Sequence, residues 1–240
     1  MVHLVRQAEP KSLTRYRAKW TARWSKCLSQ GRTIGGWATP AARRALQAPL
    51  LALSHGKCAF CEGILNLTSF IEIEHYHAKT VRHELVFDWD NLFPSCGICN
   101  RTKGDLDHQG RLLKPDRDDP ESFLWLNPDN GELEPSPLLD AEQSQRVLAT
   151  IAAYGLQRGA LCAQRIEMMK FVNRWIARAA GVSASSPECQ EEWNYLIRPS
   201  TPWKFVIRHT LTLKGLERLA EIDRSAFLGL AAVPSAVPRA

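Results

Sequence analysis

The 240-residue sequence has no long apolar run, no internal repeat and no low-complexity tract. Because a membrane-spanning helix needs about 20 apolar residues in a row, we expect no membrane span. The N-terminal residues lack the apolar core of a signal peptide, which predicts an uncleaved, cytosolic protein. The hydrophobic content of 45% and the charged content of 23% exclude wholesale disorder and collagen, and favour a globular protein of one or two domains.

Acidic residues are scarce at the N-terminus, although the whole chain carries a net charge of only +6. Residues 1–57 contain eleven basic residues and one acidic residue, whereas residues 58–110 contain four basic and eight acidic residues. Because contacts with phosphates release counterions, we predict that the N-terminal segment, or a basic partner, supplies affinity for nucleic acid. These charges could instead form a solvated helix face or dock on a partner protein. The candidate nucleic-acid contacts are Arg15, Arg17, Lys19, Arg43 and Arg44.

The seven cysteines are an odd number in a chain without an export signal, which argues against a disulfide framework. Four of them form two Cys-x-x-Cys pairs with 34 residues between the pairs: Cys58, Cys61, Cys96 and Cys99. Two such pairs supply the tetrahedral sulfur shell that structural zinc prefers, so we predict one shared Zn²⁺. A disulfide or a redox pair is the alternative. The remaining cysteines, at positions 27, 162 and 189, are interpreted as structural thiols.

Apolar spacing predicts two N-terminal helices. Aromatic side chains recur at four-residue intervals within residues 11–28, which indicates one helix. After a turn at Gly31–Gly36, Thr39-Pro40 is typical of a helix start, and we expect the second helix to continue to about Ser54. Two of the aromatic residues, Trp20 and Trp24, could stack on bases, although a place in the core is at least as well supported.

The cysteine pairs are predicted to enclose a small hairpin. Alternating residues predict a strand over Ser69–Tyr76, with isoleucines on one face and Glu72 and Glu74 on the other. Leu85–Phe87 is the predicted antiparallel partner. A short helix is predicted after the second cysteine pair, with Gly104 closing it.

The rest of the chain combines an acidic, irregular stretch with helices. Residues 111–140 are rich in Pro and Asp, and we predict a hairpin there between Phe123–Leu126 and Glu132–Glu134. A disordered tail is predicted at residues 233–240. The predicted helices are Ala141–Tyr154, Leu156–Ala180, Ser186–Ile197, Trp203–Thr210 and Leu213–Leu230.

Between and after the cysteine pairs lies an ordered set of polar residues: Glu74-His75, Asn91, Asn100 and Lys103. In one-letter code the region reads EHYHAKT…DWDNLFPSCGICNRTKGD. It resembles the HNH nuclease motif, a His-Me finger in which two strands and a helix surround a divalent ion. The wider chain is similar to the HNH subunit of Septu-type and retron-associated anti-phage systems. The blocks that carry this similarity are CAFCE at residues 58–62, EHYHAK at 74–79 and NPDNG at 127–131.

The resemblance implies an α+β protein in which a zinc-stapled ββα-metal (HNH) finger is embedded between mainly α-helical segments. The implied division is a basic helical segment over residues 1–57, the finger over residues 58–110, and an acidic irregular segment with a helical region over residues 111–240. The resemblance also implies an anti-phage role with an ABC/SMC-like ATPase as partner. It leaves open a retron reverse transcriptase with its RNA and DNA as a further partner.

The expected reaction is hydrolysis of a phosphodiester bond in DNA or RNA. A histidine can take a proton from water near neutral pH, so His75 is the predicted general base. A hard cation such as Mg²⁺ or Mn²⁺ prefers oxygen ligands, so Glu74 and Asn100 are its predicted ligands. The resemblance implies that Asn91 orients the histidine and its loop.

Other roles and other functions stay open at this point. Lys103 either contacts phosphate or closes its helix. Lys79 is a further candidate nucleic-acid contact; by the resemblance it belongs to a His-x-x-Pro-Lys block, in which Ala78 stands here in place of the usual proline. His77 and His83 are alternative bases. A stand-alone, restriction-like HNH nuclease is one alternative function. A zinc-finger adaptor for nucleic acid or protein is another, but an adaptor has no need of the polar set.

Overall fold

Helices make up most of the computed structural model, which describes residues 1, 3–31, 38–65, 71–181 and 186–227. Within these residues the helices are α1 Lys11–Ser29, α2 Pro40–Leu53, α3 Gly97–Lys103, α4 Pro120–Phe123, α5 Ala141–Ala153, α6 Gly159–Gly181, α7 Pro187–Ile197, α8 Lys204–Leu213 and α9 Glu217–Phe227. The strands β1 Ile71–His75, β2 Leu92–Cys96, β3 Leu124–Leu126 and β4 Leu133–Pro135 form two separate two-stranded sheets. No helix in the described ranges is long and apolar enough to cross a membrane.

Both predicted N-terminal helices are confirmed. α2 begins where the sequence indicates, because the Thr39 side chain accepts a hydrogen bond from the backbone N–H of Ala42 at 3.1 Å. In α1, Trp24 is buried in the core. Trp20 is half-buried, and its ring centroid lies 5.4 Å from that of Phe87. The core interpretation of Trp24 is therefore confirmed.

The hairpin between the cysteine pairs joins β1 to β2 in antiparallel register, with Ile71 opposite Cys96. The prediction that Leu85–Phe87 would be the partner strand is wrong. That segment belongs partly to a 3₁₀ turn, and its Val and Phe side chains are buried in the core. β2 pairs with β1 although it contains Pro94, whose carbonyl accepts a hydrogen bond from the backbone N–H of Ala59. β2 therefore connects β1 to the first cysteine pair.

A predicted helix end and a predicted hairpin turn each have a glycine with a positive φ. Gly104 follows α3 with a φ of 62°, as its predicted role requires. The predicted hairpin in the acidic segment is confirmed to within about a residue, and its Gly131 has a φ of 73°. A Cβ atom at Gly131 would clash with the carbonyl oxygen of Cys162 in α6. The hairpin thus packs directly on that helix.

The C-terminal helices follow the predicted pattern with two corrections. The helix predicted from Leu156 begins at Gly159. The predicted helix over residues 213–230 is wrong at its start, because α8 continues to Leu213 and Gly215, with a φ of 71°, separates it from α9. Residues 228–240, which contain the predicted tail, lie outside the described residues. The same holds for residues 32–36 of the predicted N-terminal turn and residues 69–70 of the predicted strand.

One continuous core connects the N-terminal helices, the hairpin and the C-terminal helices. Beside the first cysteine pair, the Lys57 ammonium donates to the backbone carbonyls of Pro199 and Thr201. Within the helical region, Lys204 and Arg208 both pair with the buried carboxylate of Asp223. The Lys57 bonds fix the C-terminal region against the segment that carries the cysteines, and the pairs with Asp223 join α8 to α9.

Candidate metal cluster and reactive cleft

The four paired cysteines meet in space. Cys58 and Cys61 lie in a turn after α2, Cys96 ends β2, and Cys99 lies in α3. Their ligand atoms all lie within 4.8 Å of one another, and the sulfurs of Cys61 and Cys96 are 3.8 Å apart. A tetrahedral zinc site with Zn–S bonds of about 2.3 Å has sulfurs about 3.8 Å apart. The cluster could therefore hold a metal ion such as zinc.

Local backbone structure presents these sulfurs. The Cys58 N–H donates to the carbonyl of Gly63 at 2.9 Å, which closes the first turn. The Cys96 sulfur caps α3 and accepts from the backbone N–H of Cys99 at 3.5 Å. Hydrogen bonds with the other three thiols lower the pKa of Cys96, whereas the same kind of contact raises the pKa of Cys99. The four thiols therefore do not ionise independently.

A cleft of about 380 Å³ adjoins the cluster, between β1, α3 and the loop that follows each of them. Its position follows from the hairpin, because β1 supplies one wall and α3, which begins directly after β2, supplies another. The lining includes four predicted site residues, one glutamate without a predicted role and one arginine of α2: Glu74, His75, Asn100, Lys103, Glu72 and Arg43.

His75 ends β1 and is 5% exposed. Its Nε2 lies 3.0 Å from the carbonyl oxygen of Val86. Because a carbonyl can only accept, Nε2 carries the proton and Nδ1 keeps its lone pair. Burial lowers the pKa of His75 to about 3, and the nearby Lys79 acts in the same direction. Burial thus disfavours the charged form of the imidazole.

Glu74 is buried beside a lysine. The Lys103 Nζ lies 2.5 Å from the Glu74 Oε1 and donates to the His75 carbonyl at 2.8 Å. Burial raises the pKa of Glu74 to about 7, and the positive charge of Lys103 opposes that rise. With Lys103 only 1% exposed, its ammonium joins the end of β1 to α3.

Asn91 holds the loop that follows His75. Its Oδ1 accepts from the backbone N–H of His77 at 2.7 Å, and its Nδ2 donates to the carbonyls of His77 and Leu85, each at 3.1 Å. The side chain is buried, and these three bonds join both ends of the loop between β1 and the 3₁₀ turn. Asn91 lies outside the lining of the cleft and fixes its border.

Glu72 also lines the cleft, although no role was predicted for it from the sequence. The Asn100 Nδ2 donates to its Oε2 at 2.5 Å, and an Arg101 Nη1 lies 3.4 Å from its Oε1. Because the amide nitrogen faces Glu72, this contact fixes the orientation of the amide oxygen of Asn100. Strand alternation in the sequence predicted that Glu72 shares a face with Glu74, but not that it meets Asn100.

The predicted nucleic-acid contacts separate into two groups. Arg43 and Lys79 line the cleft, and Lys79 pairs with Asp105 at 2.6 Å. Arg44 is exposed on α2 but is not among the described residues that line the cleft. The three candidates of α1 also lie outside that lining, and one of them, Arg17, pairs with Glu9. Two of the six candidates are thus brought to the cleft.

The fold and the cluster define a class of mixed helical and small-sheet proteins with a buried cysteine site that could bind a metal such as zinc. No family model matches the chain. The chain is 34% identical over 128 residues to the Septu protein PtuB of Bacillus thuringiensis, covering 52% of the chain and 46% of that relative. It is 30% identical over 148 residues to the Septu protein PtuB of Bacillus mycoides strain KBAB4, covering 50% of each.

These similarities confirm the predicted resemblance to Septu-type proteins as a PtuB-like relationship. The chain spans about half the length of the curated relatives that it matches.

Proposed function

We propose that the chain is a metal-dependent HNH endonuclease that serves as the nuclease component of a Septu-type defence system. The observation that carries this proposal is the convergence of Glu74, His75 and Asn100 on one cleft beside the cysteine cluster. In this proposal residues 58–110 form the ββα finger, between the basic N-terminal segment and the helical C-terminal region. The PtuB-like relationship supports the defence role.

We assign the cysteine cluster a structural zinc ion. The sulfur spacing fits four thiolates around Zn²⁺, and such sites are closed to substrate. The cluster joins the turn after α2 to the start of α3, so it fixes the helix that carries Asn100 and Lys103. Its role is to hold the geometry of the cleft.

The oxygen donors of the cleft suit a different ion. The carboxylates of Glu72 and Glu74 and the amide of Asn100 offer the hard ligands that Mg²⁺ and Mn²⁺ prefer. In the proposed site Glu74 and Asn100 hold the ion. When bound, the ion would neutralise charge on the scissile phosphate.

His75 acts in the proposal as the general base through Nδ1. The bond from Nε2 to the Val86 carbonyl orients the ring, and the role proposed for the imidazole is to take a proton from the attacking water. Asn91 holds the loop that follows His75, and Lys103 holds the end of β1. The burial of Lys103 favours this positioning role over direct contact with phosphate.

The substrate in this proposal is DNA or RNA, with Arg43 and Lys79 as contacts at the cleft. The exposed residues Arg15, Lys19 and Arg44 extend the basic surface over α1 and α2. Phosphate contacts of this kind give affinity without sequence preference.

The resemblance to Septu-type proteins suggests partners for this defence role. We propose a cytoplasmic complex with an ABC/SMC-like ATPase, with a retron reverse transcriptase and its nucleic acids as a further component in some systems. Co-expression with the neighbouring genes and co-purification would test this. A chain that cuts efficiently alone and retains no ATPase would favour the stand-alone nuclease instead.

A nuclease assay tests the proposed activity. We expect the zinc-loaded chain to cut DNA or RNA only when Mg²⁺ or Mn²⁺ is added, and Glu74→Gln to require a higher concentration of that ion. The matched control is Glu84→Gln, which alters an exposed carboxylate paired with Arg82 and should leave the requirement unchanged. Binding of nucleic acid without any cleavage would favour the adaptor function.

A further inference from the structure

Arg158 lies at the corner between α5 and α6 and reaches the cysteine cluster from outside the proposed finger. Its Nη1 and Nη2 lie 3.8 Å and 3.7 Å from the Cys99 sulfur. The same Nη1 donates to the carbonyls of Tyr154 and Gly155, each at 2.9 Å. The guanidinium thus joins the end of α5 to one cysteine of the cluster.

The corner is held firmly against the cluster. The ring of Tyr154 stacks on that of Phe60, with centroids 3.7 Å apart and an interplanar angle of 13°. Phe60 lies between the two cysteines of the first pair, so this stack fixes the corner beside them. Gly155 has a φ of 58°, and a Cβ atom there would lie 3.2 Å from a methyl carbon of Thr102 in α3. The backbone next to Arg158 therefore packs on both segments that carry cysteines of the cluster.

A four-thiolate metal centre needs a counter-charge. Zn²⁺ with four thiolates carries a net charge of about −2, and such a charge is costly in a buried site. Two further hydrogen-bonding contacts to the cluster come from uncharged groups, the N–H of Cys99 and the hydroxyl of Ser95. The lysine beside the first cysteine, Lys57, donates to carbonyls of the C-terminal region. Within the part of the chain that the structure describes, Arg158 supplies a cation whose donors face a cluster sulfur.

We propose that Arg158 is a positioning residue of the metal centre, which stabilises the Cys99 thiolate by charge and hydrogen bonding and thereby raises the affinity for the metal. This inference rests on the proposed metal site and extends it to a residue of the C-terminal region. It makes metal retention depend on the α5–α6 corner. Partners of metal ligands commonly contribute about 10- to 100-fold to metal affinity.

The test measures the affinity of the full chain for Zn²⁺ by competition with a chromophoric chelator, and the Co²⁺ absorption of the same proteins. We expect Arg158→Gln to weaken Zn²⁺ binding by about ten-fold or more, and Arg158→Lys to keep most of the affinity. The matched control is Arg146→Gln on α5. Arg146 is also half-buried and donates to a carbonyl, that of Leu112, but contacts Asp118 instead of the cluster.

Three results would overturn the role of Arg158. They are an unchanged affinity in Arg158→Gln, an equal loss in the glutamine and lysine variants, or an equal loss in Arg146→Gln. If Arg158→Gln does not fold, the lysine variant decides alone, and a loss of about ten-fold or more in it contradicts the role of charge. A wild-type chain that binds neither Zn²⁺ nor Co²⁺ contradicts the metal site itself, which separates the two failures.

Discussion

The cysteine cluster and the cleft share helix α3 but have opposite chemistry. The cluster presents soft sulfur donors in a closed, largely buried site, with Cys58, Cys61 and Cys99 buried. The cleft presents carboxylate, amide and imidazole groups and opens to solvent. The two regions adjoin each other in sequence, since Asn100 of the cleft directly follows Cys99 of the cluster.

This difference supports separate roles for the two sites. A closed sulfur site suits a metal that holds the fold, and an open site with oxygen donors suits a metal that meets a substrate. Because Asn100 and Lys103 lie on the helix that Cys96 caps, damage to the cluster should disturb the cleft. Damage to the cleft should leave the cluster intact. Substitutions in each region test this asymmetry.

Cys99→Ser should have the largest effect. Structural zinc contributes about 10 kcal/mol or more to the folding of small zinc domains, so we expect loss of tight metal binding and a large fall in melting temperature. Metal analysis and thermal unfolding followed by circular dichroism would measure both. Cys27→Ser is the control, because Cys27 lies outside the cluster. A Cys99→Ser chain that keeps its metal and its melting temperature would contradict the structural role.

Lys103→Met should destabilise the fold without removing the metal from the cysteines. Lys103 and Glu74 have side chains that are 1% and 2% exposed, and removal of one partner from a buried pair costs about 3–5 kcal/mol. Urea unfolding would measure this loss. Lys79→Met breaks the more exposed pair with Asp105 and should cost about 1 kcal/mol or less. Equal losses in the two variants would show that the buried pair contributes no more stability than the exposed pair.

Arg43→Glu should weaken nucleic-acid binding while leaving stability and metal content unchanged. Arg43 lines the cleft, whereas its exposed neighbour Arg44 is outside the lining found among the described residues. We expect the slope of log affinity against log salt to fall by about 1 in Arg43→Glu, and by less in Arg44→Glu. Fluorescence anisotropy at several salt concentrations would measure the slopes. A larger effect at Arg44 would place the nucleic acid away from the cleft.

The sequence was sufficient for the elements whose signals are local. Thr39 and Pro40 marked the start of α2, the asparagine–glycine turn marked the β3–β4 hairpin, and the two cysteine pairs marked the cluster. Each of these signals depends on a few neighbouring residues. Local patterns therefore predicted most helices and the residues that meet at the cluster.

The errors concern contacts between distant segments. Leu85–Phe87 has the apolar pattern of a strand, but the register of β1 with Leu92–Cys96 is set by packing across the hairpin. The role of Glu72 depends on α3 placing Asn100 beside it, and that of Arg158 on the docking of the α5–α6 corner. Composition and residue spacing do not show which distant segments meet in the fold.

We propose that the cysteines hold the fold while His75 performs the chemistry. The most direct test measures zinc content and cleavage rate on the same sample of the His75→Ala protein. We predict about one zinc per chain, as in the wild type, and a cleavage rate lower by about 10²- to 10⁴-fold, the usual contribution of a general base. Cleavage at the wild-type rate by zinc-loaded His75→Ala protein would contradict the claim.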